Sequence, residues 1–168
     1  MQKAEPKDVE KLLRKKFINP KTELTFKNPY ELACAVIMAA MCIDKLVNKV
    51  TPEFFKRFPT PKSLAEADIE EIKKYIKSVN FFNNKAKSLS GMAKTLMEKF
   101  NGKMPETMEE LLTLPGIARK SSNVILNEAF NKAEGFVVDT HIGRVSNRLG
   151  LTKEKNPVKI EQDLMKAF

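Results

Sequence analysis

Cysteine and histidine are scarce in this chain, and long apolar runs are missing altogether. Cys34 and Cys42 are the two cysteines among 168 residues, and His141 is the single histidine. Both cysteines fall on one expected helix, where a rise of about 1.5 Å per residue sets them roughly 12 Å apart, too far for a disulfide. One histidine and two thiols also fall short of the four ligands usual for structural zinc. A disulfide staple within the chain and a zinc site are therefore excluded, both thiols are expected in the core, and the chain reads as intracellular. No apolar stretch approaches the roughly 20 residues of a membrane span. The start, Met1 to Lys16, is charged where a signal peptide would be apolar. The expectation is a soluble, cytoplasmic protein without a membrane partner.

Acid is in deficit too. Thirty Lys and Arg stand against 21 Asp and Glu, a formal charge of +9. An excess of this size favours a polyanionic partner, nucleic acid first, over membrane surfaces and acidic proteins. Hydrophobic residues make up 42% of the chain, enough for one sizeable core or two small lobes sharing a cleft.

What is present reads as helix after helix, with no convincing alternating strand. Asn28-Pro29-x-Glu31 gives a cap, a proline at the first helical position and an acid at the third. The following Leu32 to Met41 is apolar nearly all round, which predicts a central buried helix. Thr51-Pro52-Glu53 is expected to restart or kink the next one. Ser63-x-x-Glu66, Asp68-x-x-Glu71 and Thr107-x-x-Glu110 read as capping boxes or close variants. A long helix carrying Ala86, Leu89, Met92, Ala93, Leu96 and Phe100 on one face closes at Asn101-Gly102. Later helices are expected from about Ala118 to Phe130, Asp139 to Leu149, and Pro157 onward. About nine short helices joined by tight turns predict an all-α architecture.

The stretch that carries chemistry is Leu114-Pro115-Gly116-Ile117-Ala118-Arg119-Lys120. A short helix enters a Pro-Gly turn and a new helix starts directly after it, the layout of a helix-hairpin-helix. A glycine there lets the backbone come close, and free N–H groups at the helix start can meet a phosphate. Leu-Pro-Gly alone reads first as an ordinary interhelical turn. Lys120 adds a second signal. It falls in the first turn of the new helix, where Arg119 and the positive end of the helix dipole both disfavour holding a proton. A free amine can attack a sugar carbon and form a Schiff base. A solvated or phosphate-binding lysine is the plain alternative. Further on, Val137-Val138 delivers Asp139 to the head of another helix, followed by Thr140-His141-Ile142-x-Arg144-Val145. Asp139 reads either as an N-cap or as a carboxylate able to hold a cationic transition state or relay a proton.

With these residues the chain resembles the endonuclease III family, within the helix-hairpin-helix DNA glycosylases. The resemblance rests on Leu-Pro-Gly-x-x-x-Lys at 114–120, Asn123-Val-x-Leu-Asn127, and Val-Asp-Thr-His-x-x-Arg-Val at 138–145. Thr22-Glu23-Leu24, Asp44-x-x-x-Asn48-Lys49 and Asn83-x-Lys85-Ala86 also match. It implies two helical lobes with a DNA cleft between them: a six-helix barrel over roughly 22–133 that includes the hairpin, and a second lobe from 1–21 and 134–168. It implies an enzyme working as a monomer at the nucleoid, on duplex DNA holding a damaged base or an abasic site. Lys120 would be the nucleophile and Schiff-base former, Asp139 its carboxylate partner, and the damaged nucleotide would be flipped out of the duplex. The lysine favours a combined glycosylase and AP lyase, on oxidised pyrimidines. DNA contacts are expected from Leu114, Pro115, Gly116, Ile117, Ala118, Arg119, Met41, Phe81 and Lys85.

The sequence departs from the family at several places. The family runs on to four cysteines holding a [4Fe-4S] cluster; they would lie beyond Phe168, so either the chain is truncated before that segment or its lineage dispenses with the cluster, and the residues present are expected to hold neither cluster nor metal. Met41 replaces the glutamine that fills the gap left by the flipped base, and Phe81 replaces an aliphatic wedge; an aromatic there could kink the duplex. Ala118 replaces the second glycine of the hairpin, at a cost if that position needs positive φ and a gain if it is helical. Ser122 and Gly143 also differ from the commonest family residues. The rival readings are a truncated relative that grips DNA without cutting, and a glycosylase for a different damaged or mismatched base.

Overall fold

The protein is described by a computed structural model covering residues 4–18 and 20–168. The first three residues of the charged start, and Asn19, lie outside the described residues. All regular structure among those described is helical: α1 (Pro6–Lys16), α2 (Pro29–Ala39), α3 (Asp44–Arg57), α4 (Pro61–Ala65), α5 (Ile69–Ile76), α6 (Phe82–Phe100), α7 (Met108–Leu111), α8 (Arg119–Phe130), α9 (Thr140–Arg148) and α10 (Pro157–Ala167). The chain divides into two compact units, Thr22–Lys132 and the pair Met1–Lys21 with Ala133–Phe168. Among the described residues no helix is long and apolar enough to cross a membrane.

The unit Thr22–Lys132 holds α2 to α8 around one core. At its middle is α2, where Leu32, Ala33, Cys34, Ala35 and Met38 have no exposed surface. That is what an all-round apolar helix requires, since it has no polar face to turn to water. Asn28 caps it by accepting from the Glu31 N–H at 2.9 Å, and Glu31 returns a carboxylate to the Lys27 N–H at 2.8 Å. Phe54, Phe58 and Tyr75 form an aromatic chain beside it, tilted at Phe54–Phe58 and edge-on at Phe58–Tyr75, and the Tyr30 hydroxyl donates to the Phe58 carbonyl. Burial pushes the Cys34 thiol well above its ordinary pKa, which leaves it an inert packing group.

Two local expectations change. Of the two expectations for Pro52, a restart does not occur: α3 runs through it from Asp44 to Arg57, with the proline inside the helix. Val47, Thr51 and Phe54 are buried along one stripe of α3, and that packing outweighs the lost backbone donor. Ser63 is not an N-cap but the third residue of α4, answering Thr60 in a reciprocal capping box. Asp68 and Thr107 do cap α5 and α7.

The family-motif residues near residue 22 turn out to be braces. The Asn48 side chain accepts from the Thr25 N–H at 2.9 Å and donates to the Glu23 carbonyl at 2.8 Å, tying the entry segment to α3. The Thr22 N–H donates to Glu128 of α8.

The second unit contains α1, α9 and α10. Its core is small: Val138, Ile160 and Leu164 are buried, with Phe136, Ile142 and Leu151 against them. Beside this core lies a groove of about 910 Å³, bordered by Leu13, Phe17, Phe136, Leu149, Met165 and Phe168.

Candidate active site on the hairpin

Thr107 begins the hairpin by capping α7, its hydroxyl accepting from the Glu110 N–H. The chain then turns through Leu112–Ala118 and enters α8 at Arg119. Leu114 and Ile117 point inward, 2% and 6% exposed, so of the residues expected at DNA these two can offer only backbone. Their burial anchors the turn, and the Ile117 N–H closes it on the Leu114 carbonyl at 3.1 Å.

Gly116 has φ +82°, the left-handed region, and a Cβ there would lie 2.6 Å from the Ser88 Cβ. Glycine is thus required twice over, by conformation and by space. One helical step along α6, a Cβ on Gly91 would meet the Pro115 ring at 3.1 Å. The turn therefore rests on a ledge of α6 made by Ser88 and Gly91. Neither was singled out from the sequence, although a glycine inside a long helix signals a close approach.

Ala118 is the N-cap of α8 with φ −114° and ψ 173°. This is extended backbone open to any residue, so alanine causes no strain there and the lost second glycine is neutral for conformation. Alanine brings no side-chain cap, and none is present. A helix start that its N-cap side chain does not close is the arrangement that can receive an anion. Arg119 and Lys120 are the first two residues of the helix, and Lys120 is exposed. Behind them Ser122 is fully buried, with its hydroxyl on the Ala118 carbonyl at 3.2 Å.

In the other unit, Asp139 caps α9: Oδ1 accepts from the Ile142 N–H at 2.8 Å, and the residue is exposed. The cap uses one of the two carboxylate oxygens. Val138, buried, fixes the strand of chain that delivers it. His141 and Arg144 pair on the outer face of α9.

Met41 and Phe81 are presented in an unusual way. Both are large apolar residues with most of their surface in water, 80% and 65% exposed, so they are not core residues. Both also have left-handed backbone, φ 54° and 57°. For residues that are neither Gly nor Asn this costs about 1–2 kcal/mol each, so each corner spends stability to hold an apolar side chain outward.

Lys85 departs from its expected place at a phosphate. It is 6% exposed, and its Nζ donates to the Met38 carbonyl at 2.6 Å. Burial lowers its pKa from the ordinary lysine value, with nearby Cys42 acting the other way. The Met38 carbonyl is one of the last in α2, a helix with no basic residue in its own final turn. Lys85 supplies that cation from α6.

A [4Fe-4S] cluster does not fit the residues present. Four thiolates are needed, and the two cysteines are one fully buried and one half-buried side chain. Among the described residues no group of three or more His, Cys, Asp or Glu could hold a metal ion.

An all-helical frame with an uncapped helix after a Leu-Pro-Gly turn, bearing a lysine in its first turn, defines the class of helix-hairpin-helix proteins. The family model for the HhH-GPD superfamily base excision DNA repair protein matches residues 34–168. Endonuclease III of Synechocystis is 47% identical over 157 residues, covering 94% of this chain and 72% of that protein. Endonuclease III of Buchnera aphidicola is 39% identical over 166 residues, covering 99% of this chain and 79% of that protein. A solved endonuclease III trapped as a covalent intermediate with DNA superposes with a TM-score of 0.90 at 35% identity, covering 97% of this chain and 78% of that one. The chain belongs to the endonuclease III family of the HhH-GPD superfamily.

Proposed function

We propose that this chain is a base-excision repair DNA glycosylase with AP-lyase activity, acting on oxidised pyrimidines in duplex DNA through a Schiff base on Lys120. The observation that carries the reading is Lys120 itself, an exposed amine in the first turn of a helix whose N-terminus has no side-chain cap. The turn at Pro115-Gly116 and the backbone N–H groups of α8 hold one DNA phosphate; Arg119 adds charge beside it. The phosphate grip places the adjacent nucleotide at Lys120, and Met41 and Phe81 occupy the space that the flipped nucleotide leaves. Lys120 attacks C1′ of the sugar, the C1′–N bond to the base breaks, and ring opening gives an imine. Asp139 serves as the carboxylate that takes up the proton the amine loses and offsets the developing positive charge. The imine acidifies the C2′ proton, whose removal expels the 3′ phosphate and nicks the strand. No metal is required in this sequence. The protein acts as a monomer and works in the cytoplasm at the nucleoid. The lobes are Thr22–Lys132 with the hairpin and the remainder with Asp139.

A glycosylase for a different lesion is the second reading, favoured by Met41, an apolar side chain that offers an orphan base little hydrogen bonding. A duplex carrying one oxidised pyrimidine, compared with duplexes carrying alkylated or mismatched bases, tests both. Release of the oxidised base with a β-elimination nick is expected. Release of another base alone would move the substrate, and binding without any release would leave a DNA-gripping protein.

The uncapped helix makes a further expectation. Ala118→Asp should stabilise the fold by about 1 kcal/mol by capping α8. It should weaken duplex binding, because the new carboxylate sits where the phosphate goes. Thermal melting and a binding titration on one preparation check both signs.

A further inference from the structure

The corners that present Met41 and Phe81 are joined by two hydrogen bonds. Asn80 Nδ2 donates to the Met41 carbonyl at 2.9 Å, and Lys85 Nζ donates to the Met38 carbonyl at 2.6 Å. Both donors flank Phe81, one residue before it and four after. Both acceptors flank or belong to the turn that carries Met41. Neither left-handed position is itself a glycine or an asparagine, the residues that adopt that backbone easily. Such conformations persist where the surroundings over-determine them. The surroundings here include these two side-chain donors, beside the backbone clasps of the Cys42 N–H on the Ala39 carbonyl and of the Leu46 and Val47 N–H groups on the Ile43 carbonyl.

We infer that Asn80 and Lys85 are positioning residues that couple Met41 and Phe81 into a single two-pronged element for displacing a base. Neither touches the reacting atoms. Asn80 fixes the Met41 turn from the Phe81 side, and Lys85 fixes the end of α2 from which that turn departs. Loss of either donor frees one prong to move relative to the other, and misplacement on the ångström scale is enough to reduce turnover by one to two orders of magnitude. This deepens the proposed function and rests on the reading that Met41 and Phe81 enter the duplex.

The test uses a duplex with 2-aminopurine opposite a stable abasic analogue, whose fluorescence rises when the base unstacks. The full chain should give that rise on binding. Asn80→Ala, an exposed position, should cut the rise by at least about threefold and lower single-turnover base excision by about tenfold or more, with a smaller change in KM. Met41→Ala should also cut the rise in the unmodified chain, and add little in the Asn80→Ala background, because coupled residues are not additive. Lys85→Met should behave like Asn80→Ala; if it does not fold, Asn80→Ala decides the matter. A wild-type rise in Asn80→Ala, or losses that simply multiply with Met41→Ala, would overturn the inference while leaving the glycosylase reading intact. No rise with the unmodified chain bound would overturn the placement of Met41 and Phe81, and the inference with it. Excision absent from the unmodified chain on every lesion would remove the function on which both rest.

Discussion

Gly116→Ala should lower the melting temperature by about 10 °C and remove the hairpin's grip on DNA. The new methyl would lie 2.6 Å from the Ser88 Cβ on backbone with φ +82°. Left-handed backbone costs an ordinary residue about 1–2 kcal/mol, and forcing atoms into a packed ledge costs about 1–3 kcal/mol more. For a chain of this size each kcal/mol moves the midpoint by about 2–4 °C. The two causes separate in a second variant. Ser88→Gly in the Gly116→Ala background removes the facing Cβ and should restore the steric share, leaving the conformational share in place. The turn would have to stand off α6 for Gly116→Ala to melt within a degree or two of the unmodified chain.

The other large effect falls on turnover with almost no effect on stability. Asp139 serves as an N-cap through Oδ1, and asparagine caps a helix as well as aspartate does. Asp139→Asn should therefore melt within about 2 °C of the unmodified chain, given how little a sound cap exchange costs. Its excision rate should still fall by about 10²–10⁴-fold, the usual share of a positioned acid or base. Circular dichroism melts and single-turnover excision on the same protein measure the two effects. If Asp139 were only a cap, both quantities would stay level; if it were mainly structural, Asp139→Ala would lose as much stability as activity.

Much of this molecule is legible in the sequence because its signals are local. Asn28, Asp68, Thr107, Asp139 and Asn156 all cap the helices they precede. Capping chemistry needs only two or three neighbouring residues, so a short string carries it. Ser63 misleads because Thr60-Pro61, three residues earlier, makes the better start and takes Ser63 as its answering partner. Pro52 does not restart the helix because propensity is local while the stripe of Val47, Thr51 and Phe54 gains its energy from the core. Lys85 is the clearest limit. A lysine in a basic chain reads as a phosphate contact, and the carbonyl it meets belongs to Met38, 47 residues away. The left-handed backbone at Met41 and Phe81 leaves no trace either, since neither position is itself the usual Gly or Asn. Positions expected to touch DNA thus divide into outward groups, a buried pair offering backbone, and one internal brace.

The measurement closest to the central claim is borohydride trapping on a duplex with a single abasic site, followed by peptide mapping of the adduct. Reduction fixes an imine as a stable amine, so it records which nitrogen attacked the sugar. The account predicts one covalent adduct on the peptide carrying Lys120, and none with Lys120→Ala even where that variant still binds the duplex. An adduct that persists in Lys120→Ala, or one that maps to another lysine, would contradict it.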